Sequence, residues 1–344
     1  MAKKTGKTPK AKPTKIQHGK GLYIGSSNLV CKSTNDLGEV IINKERNSFL
    51  RIRDDANTLE LINSMHMKYY QCDNKTFLVG ESAFKLANIF ERSAQKSMQI
   101  GVFNPLEKDS IAILKIILME VVGKPSVKDE ICCFSVPSSP FDACIDLVYY
   151  QGIIERILRE LGYTPMPLSE GFAVILSELE NSSYTGLAIS CSGGMSNICA
   201  AFRTINMLSF SITMGGDWID ENAARTLNMP INKITEIKES GMSLLKPKTR
   251  DEEAIVIYYK HYINYLMEKI TQVFSVNNKA PQFEEPINII FAGSPVLIDG
   301  FLEVVKQNME ILKFDFDVNS ITLAENPSTS VANGCYLNAV NLSS

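Results

Sequence analysis

Residues 186–202 read GLAISCSGGMSNICAAF. The apolar run Leu187-Ala188-Ile189 enters a Ser-Gly-Gly turn, and a second run, Ile198 to Phe202, leaves it. Two strand-like runs on either side of a short glycine turn predict a β-hairpin. Taken alone, such a tip is either an ordinary tight turn or a cradle whose backbone N–H groups approach a phosphate closely. Residues 21–32, GLYIGSSNLVCK, repeat the plan with a Gly-Ser-Ser-Asn tip. Two like hairpins far apart in one chain predict an internal duplication.

The chain has 344 residues, enough for two domains and a large core. Its formal net charge of −3 hides an asymmetry. Residues 1–20 carry seven lysines and no acid, which leaves −10 for the remainder. That segment, almost without apolar residues before Ile16, reads as a disordered basic tail. It is either a solubilising tail or an electrostatic arm for anionic lipid, nucleic acid or an acidic partner. It has no apolar face for an amphipathic anchor and no apolar core for a signal peptide. The most apolar run, Ile111 to Val122, is short and interrupted by Lys115 and Glu120, so no span of a bilayer is expected. The eight cysteines form no C-x-x-C pair and sit largely in apolar runs, which fits a reducing cytoplasm. The three histidines are scattered and share no ligand spacing with the cysteines, so a zinc site is not expected.

Along the chain, strands are expected at 21–53 and 75–79, and a short helix at 82–90. A helix is expected at 110–122, closed by Gly123 and Pro125. Glu130 to Val136 and Ile287 to Ala292 are near-continuous apolar runs, the pattern of strands covered on both faces. Further helices are expected over 141–161, 166–179, 218–227, 233–245, 251–274, 296–308 and 329–341, with a polar linker over 277–286. Asp217 reads as the N-cap of the helix after Gly215-Gly216. Strands are also expected at 207–214 and 320–324. Buried strands alternating with helices, twice over, predict an α/β protein with a ligand crevice between two halves.

In this order the pieces resemble the actin-like ATPase superfamily, in its bacterial MreB and MamK branch, from about residue 20 to 341. Gly25-Ser26-Ser27-Asn28 resembles the first phosphate loop, Asp-x-Gly-Thr-x-Asn. Ser192-Gly193-Gly194-Met195-Ser196-Asn197 resembles the second, Asp-x-Gly-Gly-Gly-Thr-Thr. Val79 to Ala83, Ser169 to Ala173, Met214 to Glu221, Ala292 to Pro295 and Asn326 to Gly334 resemble the family's remaining motifs, the last two being its adenosine loop and second connecting segment. The resemblance implies an actin/ribonuclease-H-like α/β fold: two duplicated domains flanking a nucleotide crevice, with small appended subdomains. It divides the chain into a basic tail (1–19), domain I (20–170, with a subdomain at about 45–98), domain II (171–325, with a subdomain at about 215–275) and a return helix on domain I (326–344).

The same resemblance assigns nucleotide contacts to Gly25, Ser26, Ser27, Asn28, Ser192, Gly193, Gly194, Ser196, Asn197, Gly216, Glu236, Lys238, Gly293 and Ser294. Glu170 stands where the family positions the attacking water; read from the residues alone it is a helix N-terminal carboxylate favoured by the dipole, with Ser169 as cap. The departures are specific. The first-loop aspartate is Tyr23 and the second-loop aspartate is Ser190, and these carboxylates anchor Mg²⁺ on ATP in the family. Met195, Ser294 and Pro295 also replace loop residues. ATP or ADP is therefore expected to bind through backbone amides or not at all, Mg²⁺ loses both protein anchors, and hydrolysis is expected to be weak or lost.

The function this implies is a cytoplasmic filament that assembles with itself, with organelle or magnetosome positioning among its roles. The tail would then contact an anionic membrane or an acidic partner rather than nucleic acid. The alternatives are a non-polymerising adaptor on the same fold and, with least support, a small-molecule kinase.

Overall fold

The N-terminal hairpin forms because its tip closes on itself: the Gly25 N–H donates to the Asn28 carbonyl at 3.0 Å. Its strands are β1 (Lys20–Ile24) and β2 (Asn28–Thr34), and β3 (Val40–Arg46) pairs antiparallel along the outer side of β2. The structure is a computed structural model describing residues 17–343, except 73–74, 104–107, 277–282, 313 and 315. The expected tail up to residue 16 and the linker up to residue 282 lie outside the described residues.

A small three-stranded sheet follows, built from β4 (Phe49–Ile52), β5 (Tyr69–Cys72) and β6 (Lys75–Val79). Between and after them come α1 (Ala56–Ser64) and α2 (Gly80–Ile89). Ile62, Leu78, Ala83 and Leu86 form a separate small core there. After the short hairpin β7 (Met98–Gln99) and β8 (Val102–Phe103) comes α3 (Ser110–Val122). Then β9 (Ile131–Val136), α4 (Leu147–Glu160) and β10 (Thr164–Ser169) complete the first large sheet, in the order β10-β9-β1-β2-β3. As its apolar run predicts, β9 is a central strand, with Cys132, Cys133 and Phe134 wholly buried.

The second half repeats this plan. After α5 (Glu170–Glu178), β11 (Gly186–Cys191), β12 (Ser196–Phe202) and β13 (Ile205–Ile212) form an antiparallel meander. Its tip is closed in the same way, by the Ser192 N–H on the Met195 carbonyl at 2.9 Å. Next come α6 (Gly216–Leu227), α7 (Ile231–Glu239) and the long α8 (Arg250–Val276). Then β14 (Ile287–Ala292) and β15 (Val318–Leu323), with α9 (Phe301–Ile311) between them, add to β11 in parallel. The order β15-β14-β11-β12-β13 matches the first sheet strand for strand, in sequence and in direction, so the duplication read from the hairpins is present in the topology.

Helices α3 and α4 cover the outer face of the first sheet, and α6, α8 and α9 cover that of the second. Between the two halves lie α5 and the last helix, α10 (Ser330–Ser343). Their residues Ala173, Val174, Val331, Cys335 and Ala339 share one core with Cys133 of β9 and with Ala188, Cys199 and Ala201 of β11 and β12. Glycine sits at each interface of this stack. A Cβ on Gly21 of β1 would lie 2.1 Å from the Tyr336 backbone nitrogen of α10. One on Gly334 of α10 would lie 1.8 Å from the Ala173 carbonyl oxygen of α5, and one on Gly171 of α5 would lie 2.8 Å from Cys199 Cβ of β12. Among the described residues no helix is long and apolar enough to cross a membrane.

Several expected elements differ. Residues 164–169, TPMPLS, form a strand rather than the start of a helix. As an edge strand, β10 tolerates Pro165 and Pro167, whose missing N–H groups cost no central ladder bonds. The helix expected from Phe141 starts only at Leu147, after Asp146 caps it by accepting from the Val148 N–H at 2.9 Å. Residues 137–142 instead cross to the second sheet: Pro140 bridges Ser211, and Asp142 accepts from the Thr213 N–H and the Tyr265 hydroxyl. The first turn after Gly293-Ser294 is a separate 3₁₀ turn, Ser294–Leu297, and the helix proper waits until Phe301. The helix expected to reach residue 245 ends at Glu239, before Gly241 at φ +91°.

Replacing Gly334 by alanine tests the stack. Overpacking at backbone contact distance is expected to destabilise the protein by about 3 kcal/mol, measured as a lowered denaturant midpoint with an unchanged slope. An unshifted midpoint would contradict the close α5–α10 contact.

Candidate nucleotide cleft

Both hairpin tips project to the same side, where β1 and β11 end, and they face each other across the molecule. Between them, and lined also by α2, α6 and α7, lies a cleft of about 1010 Å³. At the tips its lining is polar, with Ser27, Asn28, Lys96, Ser192, Gly193 and Gly216, and Met242, Tyr259, Pro295 and Leu297 also belong to the lining, Pro295 beside Gly216.

The two tips nearly touch. A Cβ on Gly193 would lie 2.4 Å from Ser27 Oγ and 2.8 Å from Asp217 Oδ1, so only glycine allows this approach. Ser27 Oγ donates to Asp217 Oδ1 at 2.8 Å, and Lys96 Nζ donates to the same oxygen at 2.6 Å and to Ser27 Oγ at 2.9 Å. Asp217 is thus not the helix cap. Gly215 occupies that position, and the Asp217 side chain, in the first turn of α6, joins the two halves. Burial disfavours its charge, but Lys96 and the Ser27 hydroxyl outweigh burial and hold its pKa below the ordinary carboxylate value.

Tyr23 reaches into this region from β1. Its phenol overlies Gly25, where an added Cβ would lie 2.4 Å from the hydroxyl oxygen. Burial, followed by the charge of Glu170, pushes its pKa well above the ordinary tyrosine value, while Ser192 opposes the shift. Behind the second tip, Ser190 Oγ donates to Glu170 Oε1 at 2.8 Å. Glu170 is 3 % exposed and does not line the cleft. Burial raises its pKa from 4.5 to about 7, against the hydrogen bond from Ser190. The Asn197 amide lies near and favours the ionised carboxylate without closing a well-aligned bond, since its Nδ2 has no hydrogen-bond partner.

Elsewhere in the lining, Lys238 forms a 2.5 Å ion pair with Asp220 Oδ1, and Thr235 donates to Asp220 Oδ2 at 2.9 Å. The ion pair acts through charge more than alignment, because that Oδ1 makes no hydrogen bond of good geometry. Burial works against the Lys238 ammonium, but Asp220 and Tyr259 more than offset it and raise its pKa. Over the cleft, contacts join β3 and α2 of the first half to α7 of the second. Arg46 pairs with Glu81 at 2.5 Å and reaches Glu239 on α7 at 2.6 Å. Asn232 accepts from the Ala94 N–H at 3.2 Å.

Of the residues assigned from the sequence, Ser27, Asn28, Ser192, Gly193, Gly194, Gly216, Lys238 and Ser294 line the cleft. The remainder sit beneath or outside it. The amides of Gly25 and Gly216 are spent within the loops, on Asn28 and Ser192. Ser26 Oγ accepts from the Gly101 N–H. Ser196 Oγ donates to the Met214 carbonyl, and Asn197 Oδ1 accepts from the Ser138 N–H, both fully buried. Gly293 donates to the Pro327 carbonyl. Glu236 is exposed on α7 and pairs with Lys233 at 2.8 Å. The sequence reading missed Lys96, Arg46 and Asn232. None lies in a motif, and a lone lysine in a polar stretch gives no periodic or spacing signal.

The Volactin family matches residues 19–339. Comparison with curated proteins gives no match. Among solved structures, a MamK double helical filament superposes with a TM-score of 0.69 at 19% identity, covering 93% of this chain and 98% of that one. MreB5 of Spiroplasma citri bound to ADP gives 0.66 at 12% identity, covering 94% and 97%. The ethanolamine utilization protein EutJ from Carboxydothermus hydrogenoformans gives 0.55 at 10% identity, covering 94% and 92%. The chain therefore has the actin-like fold.

Glu170 makes stability depend on pH with a definite sign. Its folded-state pKa is raised, from 4.5 to about 7, so its contribution is complete below 4.5 and is lost as pH rises through 7. Between about pH 5 and about pH 8 the wild-type protein is expected to lose on the order of 2 kcal/mol more unfolding free energy than Glu170→Gln. Parallel denaturant titrations across that range check it, and equal slopes for the two proteins would contradict it.

Proposed function

The chain belongs to the Volactin family, and from that premise we propose that it is an actin-like protein that assembles head to tail into filaments, with a nucleotide in the cleft and weak or absent hydrolysis. The observation that carries this reading is the duplicated fold itself, with both hairpin tips converging on one cleft. Similar structures of this fold include a double helical filament and a form bound to ADP. The cleft suits a nucleotide. Leu297, exposed in its lining, offers apolar surface to a base, while Ser27, Gly193, Gly194 and Lys96 offer small residues and a cation to phosphates.

Weak turnover follows from the residues at the tips. Tyr23 and Ser190 provide no carboxylate, and Glu170, tied to Ser190 behind the loop, is poorly placed to orient water in the cleft. We place the filament in the cytoplasm, with the lysine-rich tail as an electrostatic contact to an anionic membrane or an acidic partner.

A non-polymerising adaptor on the same fold is the second reading. It is favoured by Tyr23 filling the first tip and by the side-chain bridges that join the two halves directly. Ultracentrifugation and electron microscopy with ATP, ADP and no nucleotide, beside a phosphate-release assay, separate the two. Filaments that pellet with nucleotide while releasing little phosphate are expected. A chain that stays in the supernatant under every nucleotide and salt condition would remove the filament reading and leave the adaptor.

A further inference from the structure

We propose that the Lys96 ammonium takes the place of the divalent metal in this cleft, so that nucleotide phosphates are neutralised by a protein cation and binding does not require Mg²⁺. The inference rests on a nucleotide entering the cleft, as proposed above, and is independent of polymerisation.

The fold family implies a metal ion between the two tips, but the residues present do not fit one. Mg²⁺ takes oxygen ligands, usually one or two carboxylates with waters and phosphate oxygens. The two tip positions that would supply carboxylates hold Tyr23 and Ser190. Burial keeps the Tyr23 phenol protonated, so it offers no anionic oxygen. Ser190 Oγ is turned away from the cleft, onto Glu170. Of the carboxylates in the cleft lining, Asp217 is the one bonded to the first tip; its Oδ1 is taken by Lys96 at 2.6 Å and by Ser27 at 2.8 Å, while Asp220 pairs with Lys238 and Glu221 feels the Lys96 and Asp217 charges. A divalent ion placed on Asp217 would face the Lys96 charge at hydrogen-bond range. Among the described residues no group of three or more His, Cys, Asp or Glu is arranged to hold a metal ion.

The same geometry suits Lys96 to phosphate. Its side chain is 31% exposed, so it reaches the cleft while its stem stays packed. It lies between Ser27 of the first tip and Asp217 beside the second, the gap into which both loops point. An ammonium has three donors, and the two bonds to Ser27 and Asp217 leave one for a phosphate oxygen. A lysine binds phosphate as a point charge with no need for the octahedral shell that Mg²⁺ demands.

ADP and ATP binding are measured by calorimetry in EDTA and in excess Mg²⁺. Wild-type affinity is expected to agree within about threefold between the two, because no metal contact is lost. Lys96→Met is expected to weaken binding about tenfold or more in both buffers, the scale of one charge-assisted hydrogen bond, and Lys96→Arg to restore most of it. Lys128→Met, at a position 92% exposed outside the cleft lining, is the neutral control. A wild-type affinity that collapses in EDTA overturns the proposal, whether or not Lys96→Met folds. So does unchanged binding by a folded Lys96→Met. Absence of any nucleotide binding by the wild type overturns it too, while leaving the filament reading to the pelleting experiment.

Discussion

The close crossing of α5 and α10 governs how the rest of the molecule fits together. These helices lie between two sheets whose outer faces are separately covered, so they are what the halves share. The Gly334 backbone rests against the Ala173 carbonyl, and Gly21 and Gly171 bring β1 and β12 equally close on either side. Interiors packed to this density do not deform smoothly; they hold one arrangement or change to another. The spacing of the two hairpin tips, and with it the width of the cleft there, is therefore inherited from backbone contacts on the far side of each sheet.

Around the second tip, two carboxyls, one in the cleft lining and one behind it, behave oppositely, and their neighbours explain why. Asp217 has a cation and a hydroxyl at hydrogen-bond distance, and these compensate for its burial. Glu170 is buried more deeply and has only neutral partners, so its proton is retained to about pH 7. The Ser190 hydroxyl donates to it and favours the carboxylate, but a hydroxyl carries no charge to offset burial. Burial, rather than the residue at position 190, therefore keeps this glutamate protonated, and the Ser190 hydroxyl only moderates the shift.

Much of the fold was legible because it is written in patterns that do not depend on tertiary context. The paired hairpins, the buried runs of β9 and β14 and the 3.6-residue stripe of α8 each stand out in one dimension. What failed to show was decided by contacts across the chain. Pro165 and Pro167 argue against a strand until one sees that β10 is an edge. Residues 141–146 are expected to be helical, but the chain there is drawn onto the second sheet, Pro140 at Ser211 and Asp142 at Thr213. The cleft was legible through its hairpin tips and motif residues, among them Ser27, Gly193 and Lys238. Lys96, Arg46 and Asn232 each bridge elements more than a hundred residues apart, and no local signal encodes such a partner.

The position of α10 bears on how the molecule is made. Residues 330–343 pack on β1 and β9, elements from the first half of the chain, so the N-terminal sheet lacks one of its covers until nearly everything else has been synthesised. The second half can complete its own meander and parallel strands from neighbouring sequence, apart from the face it too gives to α5 and α10. The first half must wait with the apolar surfaces around Cys133 and Gly21 uncovered. Contacts of such long sequence separation slow folding and lengthen the time that apolar surface stays exposed. On the ribosome, the domain that emerges first is the one that closes last.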